Sequence, residues 1–288
     1  MTTSPMTPRT IAFISLTPGS GKTTACANLA VMLAQMKHRV LVVDLDPQAQ
    51  ATLLLGTAPE AKRSTGAVLA GRQTLAGIIQ HTQVPYLSLA AAAPEASDPI
   101  NSPARAFDRL DFQRLAGHAP PFAFILVDTP TNDDLAQQLA LTLCDEAIIP
   151  FKPTLTALYA AVPTMEMYVH VRNLRESELP DFLGFLPMAV SSEREMGNVR
   201  AKLRQNDLPY FSPIRRCQRL RQPLPANRLQ RRLIALTGPN YAATADFRQV
   251  AREIVMGAEA ARQVAQWCAM TPYPMAPRPR RPRPKPYF

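Results

Sequence analysis

The first fifty residues constrain the fold most, because apolar segments alternate there with a loop of small residues and a helical pattern. Residues 10–16 (TIAFISL) are an apolar run of strand length, followed by the loop TPGSG. From Lys22 apolar residues recur at helical spacing, and a second apolar run, VLVVDLD, ends in acids. Strand, loop, helix and strand in this order predict a parallel sheet covered by helices.

The same alternation continues along the chain. Further strands are predicted at residues 86–91, 122–128, 146–151 and 182–190, and helices near 104–116, 133–143, 155–171 and 243–267, with a surface loop over 91–104. This pattern predicts an α/β fold with a doubly wound, mostly parallel sheet and helices on both faces. We expect one domain over residues 10–270, after a flexible leader (1–9) and before a disordered, basic tail (271–288) with seven prolines.

Composition excludes several classes of protein. No apolar run is long enough to span a membrane, and the first ten residues lack the apolar stretch of a signal peptide. The cysteines form no C-x-x-C pair, so neither a disulfide framework nor a zinc site is indicated. We therefore expect a cytoplasmic protein without membrane contact. The cysteines are Cys26, Cys144, Cys217 and Cys268.

The loop between the first strand and the first helix carries the pattern of a phosphate-binding site. Small residues let backbone N–H groups converge on an anion at the positive end of a helix, a lysine reaches the β- and γ-phosphates, and a hydroxyl holds Mg²⁺. The usual first glycine of this motif is absent, because Leu16 occupies its position. The sequence predicts a variant nucleoside triphosphate site formed by Gly19, Ser20, Gly21, Lys22, Thr23 and Thr24.

Three acidic residues follow apolar strands. Asp44 and Asp46 end the second strand, and Asp128 follows the apolar run FILV. Ligands of open α/β sheets bind outside the carboxyl ends of the strands, so these carboxylates should face the same crevice as the phosphate loop. Asp128 has the position of the acid on the magnesium side in such folds.

The positive charge of the chain is concentrated in two places. The net charge is +10, yet residues 200–232, called the basic segment below, contain ten basic residues and one acid. The tail adds five basic residues and no acid. Such clustering is typical of a protein that meets a polyanion, and phosphate contacts carry no sequence preference. The candidate DNA-binding residues are Arg200, Lys202, Arg204, Arg215, Arg216, Arg219 and Arg221.

Taken together, these segments resemble the ParA/MinD family of deviant Walker-A P-loop ATPases, and within it the ParA/Soj-type partition proteins. TPGSGKTTACANLA is similar to the family's phosphate loop and first helix, and VLVVDLDPQAQAT to its most characteristic segment. FILVDTP resembles its Walker B strand, IIPFKPTLTAL the strand and loop that follow, and RRCQRLRQP its basic C-terminal region. The resemblance spans about residues 10–255.

The resemblance implies ATP and Mg²⁺ as cofactors, an ATP-dependent homodimer, non-specific DNA binding and slow ATP hydrolysis stimulated by a ParB-like or other cargo-adaptor protein. It thus implies a nucleoid-associated protein that partitions a plasmid, a chromosome or another cargo. Lys22 and Asp46 would be catalytic, with Asp46 orienting water. Thr23, Asp44 and Asp128 would support the metal.

One departure from the family pattern leaves alternatives open. Thr17 occupies the position of the lysine that reaches across the family's dimer, and Pro18 replaces a glycine. Because phosphoryl transfer usually needs such a cation, the chain could be a pseudo-ATPase adaptor for DNA, or could use another basic group. An ATPase that positions a protein cargo or the division site shares the same core. DLDPQ and the Arg-rich second half favour partition over a small-molecule ligase.

Overall fold

A computed structural model describes residues 7–94, 108, 110, 112, 115, 121–175, 179–221, 233 and 241–270, with the backbone alone at 219, 221 and 258–270. The described strands are β1 (Arg9–Phe13), β2 (Val40–Asp44), β3 (Ile79–His81), β4 (Leu87–Ala90), β5 (Phe124–Asp128), β6 (Glu146–Phe151), β7 (Asp181–Val190) and β8 (Ile214–Arg215). The described α-helices are α1 (Lys22–Gln35), α2 (Gln50–Leu54), α3 (Thr65–Leu69), α4 (Leu75–Ile78), α5 (Asp134–Leu143), α6 (Leu155–Tyr159), α7 (Val162–Leu174), α8 (Glu193–Gln205), α9 (Gln218–Arg221) and α10 (Ala242–Met270).

The strands form one sheet in the order β3-β4-β2-β5-β1-β6-β7-β8. Strand β1 lies between β5 and β6, and β2 pairs with the other side of β5, all in parallel. Only the edge strand β3 is antiparallel to its neighbour among the pairs described. This topology confirms the predicted mostly parallel α/β fold.

The central strands are apolar because both of their faces are covered. Every residue of β2 and of β5 is buried, which is the pattern of a parallel strand between two layers. Phe13, Phe124 and Phe185 are among the largest fully buried side chains. Within this core, the rings of Phe151 and Phe182 each meet Phe185 edge to face, with centroids 5.5 and 5.2 Å apart.

Several local features differ from the expectations above, and the short helices α2, α3, α4 and α9 and strand β8 are also absent from the predicted elements. The single helix predicted over 155–171 is two helices, α6 and α7, because Pro163 lies in the first turn of α7 and lacks an N–H donor. Helix α8 lies where the sequence analysis predicts no helix. Ser192 caps it by accepting from Glu195 N, so the spacing S-x-x-E could have predicted its start. Strand β3 was not predicted, because three half-exposed residues carry no clear alternation.

Several predicted regions fall outside the described residues. These are most of the helix near 104–116, the loop beyond residue 94, residues 1–6 of the leader and the tail 271–288. Strand β1 begins at Arg9, which pairs with Phe124. The chain divides into one compact unit that ends at Ala251 and a second that begins at Arg252. None of the helices in the described ranges combines the length and the apolar character needed to cross a membrane.

Candidate functional site

The phosphate loop connects β1 to α1 and depends on two glycines with positive φ. Gly19 has φ 66° and Gly21, the N-cap of α1, has φ 100°. L-residues rarely adopt these values, so glycine is favoured at both positions. No acidic residue lies in the first turn of α1. The free N–H groups at this helix start therefore form an uncompensated positive end that suits a phosphate.

Lys22, the first residue of α1, is held inside the loop. Its side chain is buried, and its ammonium donates to the Ser15 carbonyl at 2.8 Å and to Thr131 Oγ1 at 2.6 Å. Burial lowers the pKa of Lys22, while the carboxyls of Asp128 and Asp46 act in the opposite direction. The lysine is thus positioned before any phosphate arrives, with two protein oxygens in place of water.

Asp128 ends β5, beside both strands whose following loops build the site. The strand register pairs it with Phe13 of β1 and with Asp44 of β2. Neither carboxyl oxygen accepts a hydrogen bond from the described residues, although the side chain is fully buried. Burial, followed by repulsion from Asp44, raises the pKa of Asp128 well above its ordinary value, while the nearby Thr23 hydroxyl and the Lys22 charge act in the opposite direction. A buried carboxyl without a donor is unfavourable unless a ligand supplies the missing interactions.

Asp44 is also buried, but its oxygens are occupied. One oxygen accepts from Thr52 N at 2.9 Å and Thr52 Oγ1 at 2.7 Å, and the other accepts from Asp46 N at 3.1 Å. Burial raises the pKa of Asp44 to about 7, and these hydrogen bonds act in the opposite direction. The carboxyl therefore fixes the loop after β2, and it does not line the cavity described below.

Asp46 lies two residues further on and is half-buried. Its carboxyl accepts from Gln48 N at 2.9 Å, which holds the side chain in a tight turn after β2. Unlike Asp44, it lines the cavity in front of the phosphate loop. A carboxylate in this position can orient a water molecule inside the cavity.

The cavity has a volume of about 630 Å³ and opens at the carboxyl ends of β1, β2 and β5. It is lined by residues 18–24 of the phosphate loop, by 46–48 and 50 after β2, and by 130–133 after β5. The structure therefore brings together every predicted cofactor-binding residue and Asp46. Asp128 lies behind this lining, within electrostatic reach of Lys22.

Comparison with known proteins identifies the family. The sequence profile of a family described as "AAA domain" matches residues 8–180, well over half of the chain. The chain is also 28% identical over 173 residues to the chromosome partitioning protein ParA of Caulobacter vibrioides. The chain belongs to the ParA/MinD family of P-loop ATPases. The match covers 57% of this chain and 64% of the Caulobacter protein, and so spans less than two thirds of that relative's length.

Solved structures agree with this assignment. The septum site-determining protein MinD of Pyrococcus horikoshii, solved with Mg-ADP, is 26% identical with a TM-score of 0.69. A variant of McdA from Cyanothece, solved with ATP, has a TM-score of 0.73 at 19% identity, and so supports the fold alone. Each comparison covers 86% of this chain and 96% of the other.

Two residues of this ParA/MinD site were missed by the sequence reasoning. Thr131 holds the Lys22 ammonium, although its place after Pro130 suggested no role. Gln137 of α5 is fully buried, accepts from Ser15 N at 2.9 Å and donates to the Pro130 carbonyl at 2.9 Å. It thereby joins the loop after β1 to the loop after β5. An amide inside a predicted helix gave no signal of this role.

The basic segment makes a second candidate site, and its arginines differ in their surroundings. Arg215, at the end of β8, forms a bidentate ion pair with Asp246 of α10, with a shortest distance of 2.7 Å. The side-chain hydrogen bond from Arg215 to Asp246 raises the pKa of the arginine. Although the Arg215 side chain is 57% exposed, it therefore joins two elements of the protein.

The other basic residues of the segment are held less tightly. Arg200 lies 3.8 Å from the Glu193 carboxylate, Lys202 donates to Gln205 Oε1, and Arg204 donates to Tyr210 Oη. Arg216 is exposed, and its side chain has no hydrogen bond or ion pair with the residues that the structure describes. The side chains of Arg219 and Arg221 lie outside the described part of the chain. Among the basic residues of this segment whose side chains the structure describes, Arg216 is thus the most available for an external phosphate.

Proposed function

We propose that this chain binds ATP and Mg²⁺ at the phosphate loop and uses the nucleotide to control dimerisation and DNA binding in a partition system. One observation carries the proposal most directly. The fully buried Asp128 carboxyl accepts no hydrogen bond within normal distance and angle from the described residues and has only the Thr23 hydroxyl nearby, and it lies beside a lysine and a helix start that suit phosphate. A bound metal would supply positive charge near the Asp128 carboxyl, and the nucleotide phosphates would supply negative charge near the lysine and the helix start.

The residues present fit a magnesium ion held mainly by phosphate and water. Within the described ranges no three His, Cys, Asp or Glu side chains converge on a common metal position. Mg²⁺ commonly keeps several water ligands and takes only one or two protein groups together with substrate phosphates. We assign Thr23 as the hydroxyl ligand and Asp128 as the acid behind the metal. Asp44 supports the same region by fixing the loop after β2.

Asp46 and Lys22 would have different roles in ATP hydrolysis. The metal, when bound, neutralises charge on the β- and γ-phosphates. Lys22 adds a second positive charge at the loop, and its contacts with Ser15 and Thr131 fix its position beforehand. Asp46 lines the cavity with a carboxylate that can orient the attacking water. The backbone N–H groups of residues 19–24 hold the phosphates.

The partition role rests on the family and on the basic segment. The Caulobacter relative is the chromosome partitioning protein ParA. We propose that the ATP-bound homodimer binds DNA through phosphate contacts, with no preference for sequence, and that a ParB-like or other cargo adaptor stimulates its release. Such a protein would be cytoplasmic and nucleoid-associated.

The test compares the purified chain in ATP, ADP and no nucleotide, each with Mg²⁺. Calorimetry measures nucleotide affinity, sedimentation measures dimerisation, and phosphate release measures turnover. Two unrelated DNA duplexes measure DNA binding. We expect ATP to produce a dimer that binds both duplexes with similar affinity. ATP binding and dimerisation without phosphate release would identify the pseudo-ATPase alternative, and no measurable affinity for ATP would contradict the proposal.

A further inference from the structure

The phosphate loop carries no charged side chain at its outer end, which is defined here as residues 17–19. Thr17 is uncharged, and its hydroxyl donates to the Ala160 carbonyl at 3.2 Å, between α6 and α7. Its backbone N–H donates to Ser15 Oγ at 3.3 Å. The lysine of the loop, Lys22, is buried and already contacts two protein oxygens. Any positive charge that acts at the outer end of the loop would therefore come from another part of the chain.

Lys152 brings a positive charge to this position. Its ammonium lies 3.7 Å from the point that a Cβ would occupy at Gly19, so it is placed against the backbone of the phosphate loop. Lys152 follows β6, which pairs directly with β1 in the sheet. Because neighbouring parallel strands end at the same edge, the residue after β6 lies beside the loop after β1.

The surroundings of Lys152 leave its charge available. Its side chain is exposed and makes no hydrogen bond or ion pair with any residue that the structure describes. The flanking residues Phe151 and Pro153 are both buried, and the Lys152 carbonyl accepts from Thr154 N at 2.8 Å. The backbone that carries the ammonium is therefore anchored on both sides. A long, solvated lysine side chain without a partner has no evident structural role here.

The neighbouring surface indicates what approaches this lysine. Three apolar side chains that follow it on α6 and at the start of α7 are 41–58% exposed: Leu155, Tyr159 and Val162. Apolar groups next to a charged site are typical of a surface that meets another protein. Lys152 itself does not line the cavity in front of its own phosphate loop. Both observations favour a contact between Lys152 and a second copy of the chain.

We propose that Lys152 supplies positive charge to the nucleotide phosphates of the second subunit in the ATP-bound dimer, at the position that Thr17 leaves without a cation. This inference rests on the proposed ATP-dependent dimer. The cation would stabilise negative charge on the phosphates both in the bound state and during hydrolysis. Removing one preorganised group of this kind typically costs about 100-fold or more in turnover.

The first experiment measures turnover and ATP-dependent dimerisation for single variants. Lys152→Ala should lower turnover by about 100-fold or more and weaken the dimer, while Lys152→Arg retains most of both. Lys62→Ala removes an exposed lysine that does not line the cavity and should change neither. Nucleotide affinity should change little in Lys152→Ala, since Lys22 and the loop still hold the subunit's own nucleotide. Unchanged turnover and unchanged dimerisation in Lys152→Ala would overturn the inference.

A second experiment tests whether the charge itself is what matters. Thr17→Lys should restore turnover in the Lys152→Ala background, because it returns a cation to the outer end of the loop. The same change in the parent should have little effect if Lys152 already fills that position, so the two substitutions should be strongly non-additive. Additive effects would show that Lys152 acts elsewhere.

Mixed dimers then test whether Lys152 acts on the nucleotide of the second subunit or on the nucleotide of its own subunit. Lys152→Ala and Asp46→Ala chains, each with low turnover, are combined at concentrations above the dimer dissociation constant. In the mixed dimer the Lys152→Ala subunit keeps Asp46 and receives Lys152 from its partner, so turnover should recover. No recovery, with mixed dimers confirmed by co-purification through an affinity tag carried by only one of the two chains, would overturn the proposed action across the interface. A parent that binds ATP without dimerising would instead contradict the proposed function.

Discussion

The charged side chains of the phosphate-loop site and those of the basic segment differ in their burial and in their partners. At the first site Asp128 is fully buried and has no donor for its carboxyl, and Lys22 is buried with two protein oxygens. In the basic segment the Arg215 side chain is largely exposed and is paired with Asp246 of the same chain. A buried carboxyl without a well-formed hydrogen bond, such as that of Asp128, costs free energy, whereas an exposed ion pair such as Arg215–Asp246 does not. The phosphate-loop site therefore indicates a ligand more strongly than the basic segment does.

The largest effect is expected at the loop lysine. Lys22→Ala should raise the dissociation constant of ATP by up to about 150-fold, because the phosphates lose a charge-assisted hydrogen bond worth up to about 3 kcal/mol. Titration calorimetry measures the change, with Lys62→Ala as the control and thermal unfolding to confirm the fold. Equal affinity in the variant and the parent would show that Lys22 only supports the loop.

Asp46 should affect hydrolysis without affecting nucleotide binding. Asp46→Ala is expected to lower turnover by roughly 100-fold, as loss of a group that positions the attacking water typically does, while the ATP-bound dimer persists. Phosphate release and sedimentation in ATP separate the two steps. Loss of the dimer together with turnover would instead place Asp46 in nucleotide binding.

The amide that joins the two loops should affect stability. Gln137→Leu leaves Ser15 N and the Pro130 carbonyl without their side-chain partner, which should lower the free energy of unfolding by about 1–3 kcal/mol. Urea unfolding measures the change. Gln138→Leu, at the next position of the same helix, is the matched control and should have a smaller effect. Equal stability of the two variants would argue against a joining role for Gln137.

The smallest effect is expected for two adjacent arginines of the basic segment, and comparing their variants tests whether this segment binds DNA. Arg216→Ala should flatten the slope of log DNA affinity against log salt by about 1.8, for one phosphate contact per subunit of a dimer, and leave the melting temperature unchanged. Arg215→Ala should lower the melting temperature, because Asp246 loses the guanidinium and keeps only the backbone N–H of residue 215 as a donor. If neither substitution changes the salt slope, the described part of the basic segment is an ordinary solvated surface.

The sequence alone predicted the parts of this protein that depend on local patterns. The apolar runs of β1, β2 and β5, the helical spacing of α1 and the glycine loop between them predicted a parallel α/β sheet with a phosphate site. Asp46 and Asp128 could be placed because strand ends in such a sheet share one edge. The break between α6 and α7 was not predicted, although Pro163, which cannot donate within a helix, could have indicated it.

Only the tertiary structure decided which distant residues meet. Thr131 contacts Lys22 across 109 positions of sequence, and Gln137 contacts Ser15 across 122. Lys152 reaches Gly19 because β6 pairs with β1, an adjacency that no local pattern specifies. Whether an arginine of the basic segment is paired depended likewise on α10, whose Asp246 lies 31 positions beyond Arg215. Residue spacing fixes helices and strands, whereas strand order in the sheet fixes which loops share an edge.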